Sequence, residues 1–149
     1  MKKRICIGGD HAGYVLKEQI KKQVNDWGYS VVDVGCHSDE SIDYPDYAHP
    51  VARHVESNAS VVGILICGSG NGINMTANKH QGIRSALCWQ VEIAKLARQH
   101  NNANIVALPA RFISTEEAIK IVEVFLNTSF EGGRHQKRVD KIACFQEKS

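Results

Sequence analysis

One stretch of the chain concentrates chemistry: Cys67-Gly68-Ser69-Gly70-Asn71-Gly72 follows the apolar run Ile64-Leu65-Ile66. Residues this small let successive backbone N–H groups converge on one point at a helix start, which stabilises a bound phosphate or a developing oxyanion. A tight strand-to-helix turn without chemical consequence has the same composition. The loop lacks the Gly-Lys-Ser/Thr of a nucleotide phosphate loop. The dinucleotide fingerprint, Gly-x-Gly-x-x-Gly after the first strand, is also missing, because that turn reads Gly8-Gly9-Asp10-His11-Ala12-Gly13. Amide dipoles at the loop favour the thiolate of Cys67. Such a thiolate serves as a nucleophile or as a general base, and residue types leave both open. Cys6, Cys88 and Cys144 read as small buried hydrophobes.

Asp10 and His11 in the first turn, Cys36 and His37, Asp43-Tyr44-Pro45, and Pro109-Ala110-Arg111 supply further groups able to hold or move a proton or an anion. Arg134 and Arg138 are four apart, so on a helix they share a face and can grip one phosphate, unless they form a solvated basic face. His100 and Asn101 close a helical pattern.

The elements that must position these residues alternate regularly. Strands are expected over 4–7, 30–34, 60–67, 84–88 and 104–108, the third continuously apolar as when both faces are covered. Between them, Val15, Leu16, Ile20, Val24 and Trp27 recur at helical spacing with Gly28 as C-terminal cap. Helices are likewise expected over 44–55, 73–78, 91–100, 114–126 and 133–145, with Pro45 in a first turn and Ser114-Thr115-Glu116-Glu117 as a capping box. Strand–helix alternation makes βαβ units with right-handed crossovers: a three-layer α/β/α, Rossmann-like fold with a five-stranded parallel sheet, one domain over 1–149. Ligands of such sheets bind beyond the carboxyl ends of the strands. Asp10, His11, Tyr44, Cys67, Ser69 and Arg111 all fall on that edge. His100 precedes the fifth strand and falls on the other, so a catalytic His100 has to come from a second subunit.

Composition narrows the class. The 149 residues carry a formal charge of only +2, too balanced for a nucleic-acid binder working through bulk charge. No segment has the length of a membrane span, and the basic start breaks its apolar run at Gly8-Gly9, too early for a signal peptide. Five cysteines without a Cys-x-x-Cys pair suit a reducing cytoplasm, and neither they nor the seven histidines show metal-ligand spacing. No metal or cofactor is expected.

The chain resembles the ribose-5-phosphate isomerase B family, which also holds galactose-6-phosphate isomerase subunits and allose-6-phosphate isomerases. The likeness spans the chain. It rests on Gly-Asp-His-Ala-Gly at 9–13, Asp-Tyr-Pro at 43–45, Ile-Cys-Gly-Ser-Gly-Asn-Gly at 66–72, Ala-Asn-Lys at 77–79, Arg-Gln-His-Asn at 98–101 and Glu-Gly-Gly-Arg-His-Gln-x-Arg at 131–138. The resemblance implies a metal-free aldose–ketose isomerase acting through a cis-enediolate, with Cys67 as general base. Ser69 and the amides of Gly68, Gly70, Asn71 and Gly72 would hold the enediolate charge. His100 would open the furanose ring, with Asp10 near the ring oxygen. Asn101 would contact the sugar, Tyr44 would line the pocket, and His11, Arg111, Arg134 and Arg138 would bind phosphate. One branch of the family carries a glutamate base just after the glycine loop. Here Ile73 stands there, which places the chain in the cysteine branch; Ser69 replaces the threonine of some members. A homodimer with shared sites is expected, with pairing into tetramers left open. Three alternatives remain: a hexose-6-phosphate isomerase of the same family, a nucleotide-binding regulatory module, in which Asp33 near the end of the second strand could be mistaken for a ribose-binding acid, and a thiol enzyme using Cys67 as nucleophile.

Overall fold

A computed structural model describes residues 4–144. Five strands, β1 (Arg4–Gly9), β2 (Val31–Asp33), β3 (Val61–Cys67), β4 (Ser85–Leu87) and β5 (Ile105–Pro109), form one sheet in the order β2-β1-β3-β5-β4. Every pairing is parallel. Six helices accompany them: α1 (Tyr14–Asp26), α2 (Pro45–Glu56), α3 (Asn71–Ala77), α4 (Val91–Asn101), α5 (Thr115–Asn127) and α6 (Arg134–Val139).

Period-two alternation along each strand divides the core into two layers. Ile5, Ile7, Ile64, Ile66, Val106 and Leu108 pack with α1, α4 and α5. Cys6, Leu65, Cys67, Ile105 and Ala107 face the other way, onto Val51 and Val55 of α2 and Ile73 and Ala77 of α3. Cys67 therefore ends its strand on the α2–α3 side. The Ser114 capping box opens α5 as expected: the Ser114 hydroxyl accepts from the Glu117 amide at 3.0 Å, and the Glu117 carboxylate accepts from the Ser114 amide at 3.1 Å. Gly28 (φ +91) follows α1 in a Schellman turn, its amide donating to Asn25 and that of Tyr29 to Val24.

Several expectations need correction. β1 runs on through Gly8 and Gly9, which pair with Leu65 and Ile66; without side chains they carried no strand signal. α3 starts at Asn71, two residues earlier than the apolar pattern. α6 spans six residues and stops at Val139, because only His135 and Val139 of its face are buried, and Ile142 is half exposed. Phe145, where that helix was expected to end, lies outside the described residues. Cys144 is exposed, unlike Cys6 and Cys88, so its reading as a buried hydrophobe does not hold.

Asp33 is not available to hold a ribose. Fully buried Lys17 donates to its Oδ2 at 2.7 Å, Lys21 donates to the same oxygen at 2.9 Å, and the Gly35 amide donates to Oδ1 at 2.9 Å. Burial opposes the Asp33 charge, but the hydrogen bonds from Lys17 and Lys21 outweigh it and hold its pKa below the ordinary value. The folded value being the lower one, this stabilisation is present at neutral pH and is lost as pH falls below about 4. We expect Lys17→Met to cost about 1–3 kcal/mol in urea unfolding at pH 7, because Asp33 keeps Lys21 as a partner. The cost should shrink at pH 3.

Candidate active site

The order β2-β1-β3 makes the chain leave β1 in one direction and return as β3 on its other side. That switch point opens a crevice beyond the carboxyl ends of the two strands. A cavity of about 480 Å³ lies there, lined by Asp10, His11, Tyr44, Cys67, Gly68, Ser69, Gly72 and Arg111, together with Ala12 and Phe112. The six residues expected on this edge, Asp10, His11, Tyr44, Cys67, Ser69 and Arg111, thus meet in one place.

Each is held by local structure. Asp10 caps the short 3-10 turn His11–Gly13: its Oδ1 accepts from the amides of Ala12 (3.0 Å) and Gly13 (3.1 Å), and it is 7% exposed. His11 Nδ1 accepts from the Ile42 amide at 3.2 Å, which puts the ring proton on Nε2 and makes that nitrogen a donor. The turn after β5 is stitched to the glycine loop, the Ala110 amide donating to Cys67 O and the Arg111 amide to Gly68 O. This stitching lays the Arg111 guanidinium over Gly68, where an added Cβ would stand 3.0 Å from Nη1. Cys67 is a free thiol, 4% exposed, at the strand tip. Ser69 Oγ accepts from the Asn71 amide at 3.2 Å, so its own proton is free to be donated. Gly70 (φ +76) caps α3, and neither it nor Asn71 lines the cavity.

Gly72 has a steric duty. A Cβ there would lie 2.4 Å from Tyr44 Cζ and 2.8 Å from two further ring carbons, so the phenol rests directly on the glycine. We expect Gly72→Ala to push the ring into the cavity and raise KM for a sugar phosphate at least about tenfold, with a thermal midpoint close to that of the parent, because a half-exposed ring can swing away. Steady-state kinetics and a thermal melt check both parts.

The other expected residues are elsewhere. His100 and Asn101 end α4, which leads into the start of β5, at the opposite edge of the sheet from Cys67. Arg134 and Arg138 sit on α6, which packs on α4. A second cavity, of about 430 Å³, reaches Asn101 at that edge. Phe112, 75% exposed, was missed by sequence reasoning; its signal was an aromatic beside Arg111 in a loop at the binding edge. His37 and Cys36 stay outside the cavity, Cys36 Sγ donating to Ser38 O at 3.2 Å.

Two other thiols lie deep in the core, away from the cavity. Burial, with the Asp33 charge, pushes the Cys6 thiol up to about 11, and burial pushes Cys88 to about 12, so neither ionises at neutral pH. His100, Glu131 and His135 bring three ligating atoms within 4.8 Å of one another. They make a poor metal site. The imidazoles stack with their planes 14° apart, so their in-plane lone pairs lie in two nearly parallel planes instead of converging, and Arg134 and Arg138 add positive charge.

A parallel α/β sheet with a thiol, a glycine loop, an imidazole N–H donor and an arginine at its switch point has the groups to hold a small anion and exchange a proton with it. The Ribose/Galactose Isomerase family matches residues 5–142. The chain belongs to that family. It is 42% identical over 146 residues to the ribose-5-phosphate isomerase B of Escherichia coli, covering 98% of each chain. A probable ribose-5-phosphate isomerase B of Mycoplasma genitalium is 46% identical over 147 residues, covering 97% of each. Among solved structures, a ribose 5-phosphate isomerase of Thermotoga maritima superposes with a TM-score of 0.93 at 48% identity, covering 96% of this chain and 99% of that one. The Mycoplasma genitalium enzyme with bound ribulose-5-phosphate gives 0.90 at 48%, covering 93% of each.

Proposed function

We propose that the protein is an aldose–ketose isomerase interconverting D-ribose 5-phosphate and D-ribulose 5-phosphate, with Cys67 as its general base. The observation that carries this reading is the convergence of Cys67, Ser69, the glycine-loop backbone, Asp10, His11 and Arg111 on one cavity at the switch point. The ribulose-5-phosphate held by a relative of the same fold supports the substrate class.

In open-chain ribose 5-phosphate the C1 carbonyl acidifies the proton on C2. The Cys67 thiolate takes that proton, the C2–H pair becomes the C1=C2 double bond, and O1 gains the negative charge. The Ser69 hydroxyl and the amides of the cavity-lining loop residues Gly68, Ser69 and Gly72 hold that charge. The thiol returns its proton to C1 while the O2 proton moves to O1, leaving a ketone at C2. Ring opening comes first: C1–O4 breaks, O4 takes a proton from His100, and the anomeric hydroxyl gives its proton to water. Asp10, with Oδ1 held by two amides, orients the sugar hydroxyls through its other oxygen. His11 Nε2–H and Arg111 bind phosphate, joined by Arg134 and Arg138, and this remote grip aligns C1 and C2 with the sulfur.

His100, Asn101, Arg134 and Arg138 come from a second copy of the chain. The distance between sheet edges within one chain supports a two-fold dimer, in which one chain's α4–α6 end completes the other's cavity. Unpaired thiols suit a reducing compartment such as the cytoplasm. Among the described residues, no helix is long and apolar enough to cross a membrane.

Turnover in the presence of a chelator tests the reading. We expect kcat/KM for ribose 5-phosphate to exceed that for allose 6-phosphate and galactose 6-phosphate by at least about tenfold. Reversed preference would make the protein a hexose-phosphate isomerase. Saturable nucleotide binding without isomerisation would overturn the enzyme reading altogether.

A further inference from the structure

Away from the cavity, three titratable side chains are arranged with more order than a solvated surface requires. The His100 and His135 rings stack with centroids 4.2 Å apart. Glu131 lies beside both, Oε1 3.9 Å from His100 Nε2 and Oε2 3.8 Å from His135 Nε2. The His135 side chain is 8% exposed and that of His100 is 38% exposed, so a buried ring forms a plate beneath an accessible one.

The backbone is built to bring them together. The Glu131 amide donates to Gln99 O at 3.1 Å, tying this segment to the residue before His100. Gly132 (φ +67) and Gly133 (φ +54) then turn the chain through the left-handed region, with nothing near either position, so conformation alone calls for glycine there. The His135 amide donates to Gly132 O as α6 opens at Arg134, which sets His135 against His100. Burial, then the charges of His100 and Arg134, lower the His135 pKa below the ordinary imidazole value, which favours the neutral ring at neutral pH. A neutral ring can lie under one that carries a proton without like-charge repulsion.

We propose that His135 and Glu131 are the positioning residues of His100: His135 fixes the plane of its ring, and Glu131 brackets Nε2, the nitrogen that delivers the proton to the sugar ring. The inference rests on the ring-opening role given above to His100. His135 and Glu131 act through His100, not on the sugar.

Ribulose 5-phosphate supplies the control. Its C5 hydroxyl is esterified, so no five-membered ring can close on C2 and the ketose is always open. Solvent deuterium entering its C1 therefore reads Cys67 without ring opening. We expect His135→Ala to lower kcat on ribose 5-phosphate about 10- to 100-fold while deuterium wash-in to ribulose 5-phosphate stays within about twofold. His135→Phe, which keeps a flat plate, should recover kcat to within about fivefold of the parent. Glu131→Gln should lower ribose 5-phosphate turnover alone. Equal losses in both reactions, a phenylalanine variant no better than alanine, or an alanine variant with full turnover would each overturn the proposal. Thermal melts of the same samples separate these outcomes from unfolding. His100→Asn, run alongside, separates the two claims. If it spares ribose 5-phosphate turnover, the ring-opening reading of His100 fails; if it stops turnover and His135→Ala does not, only the positioning role fails.

Discussion

Cys67→Ala is expected to lower kcat for ribose 5-phosphate about a thousandfold or more, while the Kd for the sugar phosphate, read by calorimetric titration, changes by less than about threefold. A positioned general base contributes about 10²–10⁴ in rate, and alanine has nothing that can accept a proton. Affinity should survive because the phosphate contacts are made by other residues, with Arg111 laid over the glycine loop and His11 holding its proton on Nε2. The fold should survive as well. Cys67 is 4% exposed among Leu65, Ile73 and Ala107, so losing one sulfur leaves a small cavity costing about 1 kcal/mol. Cys67→Ser should behave like alanine, because a hydroxyl is a far weaker acid than a thiol and supplies almost no anion at neutral pH. Near-normal turnover in either variant would remove sulfur from the role of base. A covalent sugar adduct trapped on Cys67 during turnover would make it a nucleophile instead.

The second large effect is a recovery. Cys67→Ala and His100→Ala chains, each inactive as homodimers, should regain about a quarter of parental activity when mixed and allowed to exchange subunits. The figure follows from two-fold symmetry. Random pairing makes half of the dimers mixed, and each mixed dimer has one site with both good residues and one with neither. The prediction comes from the strand order, which places Cys67 at the carboxyl end of β3 and His100 just before the amino end of β5. No recovery, with subunit exchange proven by mass spectrometry, would mean that each site is completed within one chain.

Much of this was legible in the residues because it depends on which face of an element is buried. The continuous apolar run of β3 signals a strand covered on both sides, and Ile64, Leu65 and Ile66 are indeed fully buried. Naming the residues that leave each strand at its carboxyl end then collected Asp10, His11, Tyr44, Cys67 and Arg111 without coordinates. Periodicity says nothing about which strand neighbours which. The placement of β2 and β3 on opposite sides of β1, and hence of the switch point between β1 and β3, required the fold. The stack of His135 on His100 was hidden for a related reason: contact between residues 35 apart is set by the packing of α6 on α4, which no local pattern reports. Cys144 misled because cysteine is buried or exposed by position, not by type, and Ile142 beside it is half exposed.

A crystal structure with ribulose 5-phosphate in the cavity decides whether sulfur moves the proton. The role of Cys67 as base requires its Sγ about 3–3.5 Å from both C1 and C2, with the O1 and O2 oxygens facing Ser69 and the amides of Gly68 and Gly72. A sugar bound with C1 and C2 turned away from the sulfur, or separated from it by protein, would contradict it.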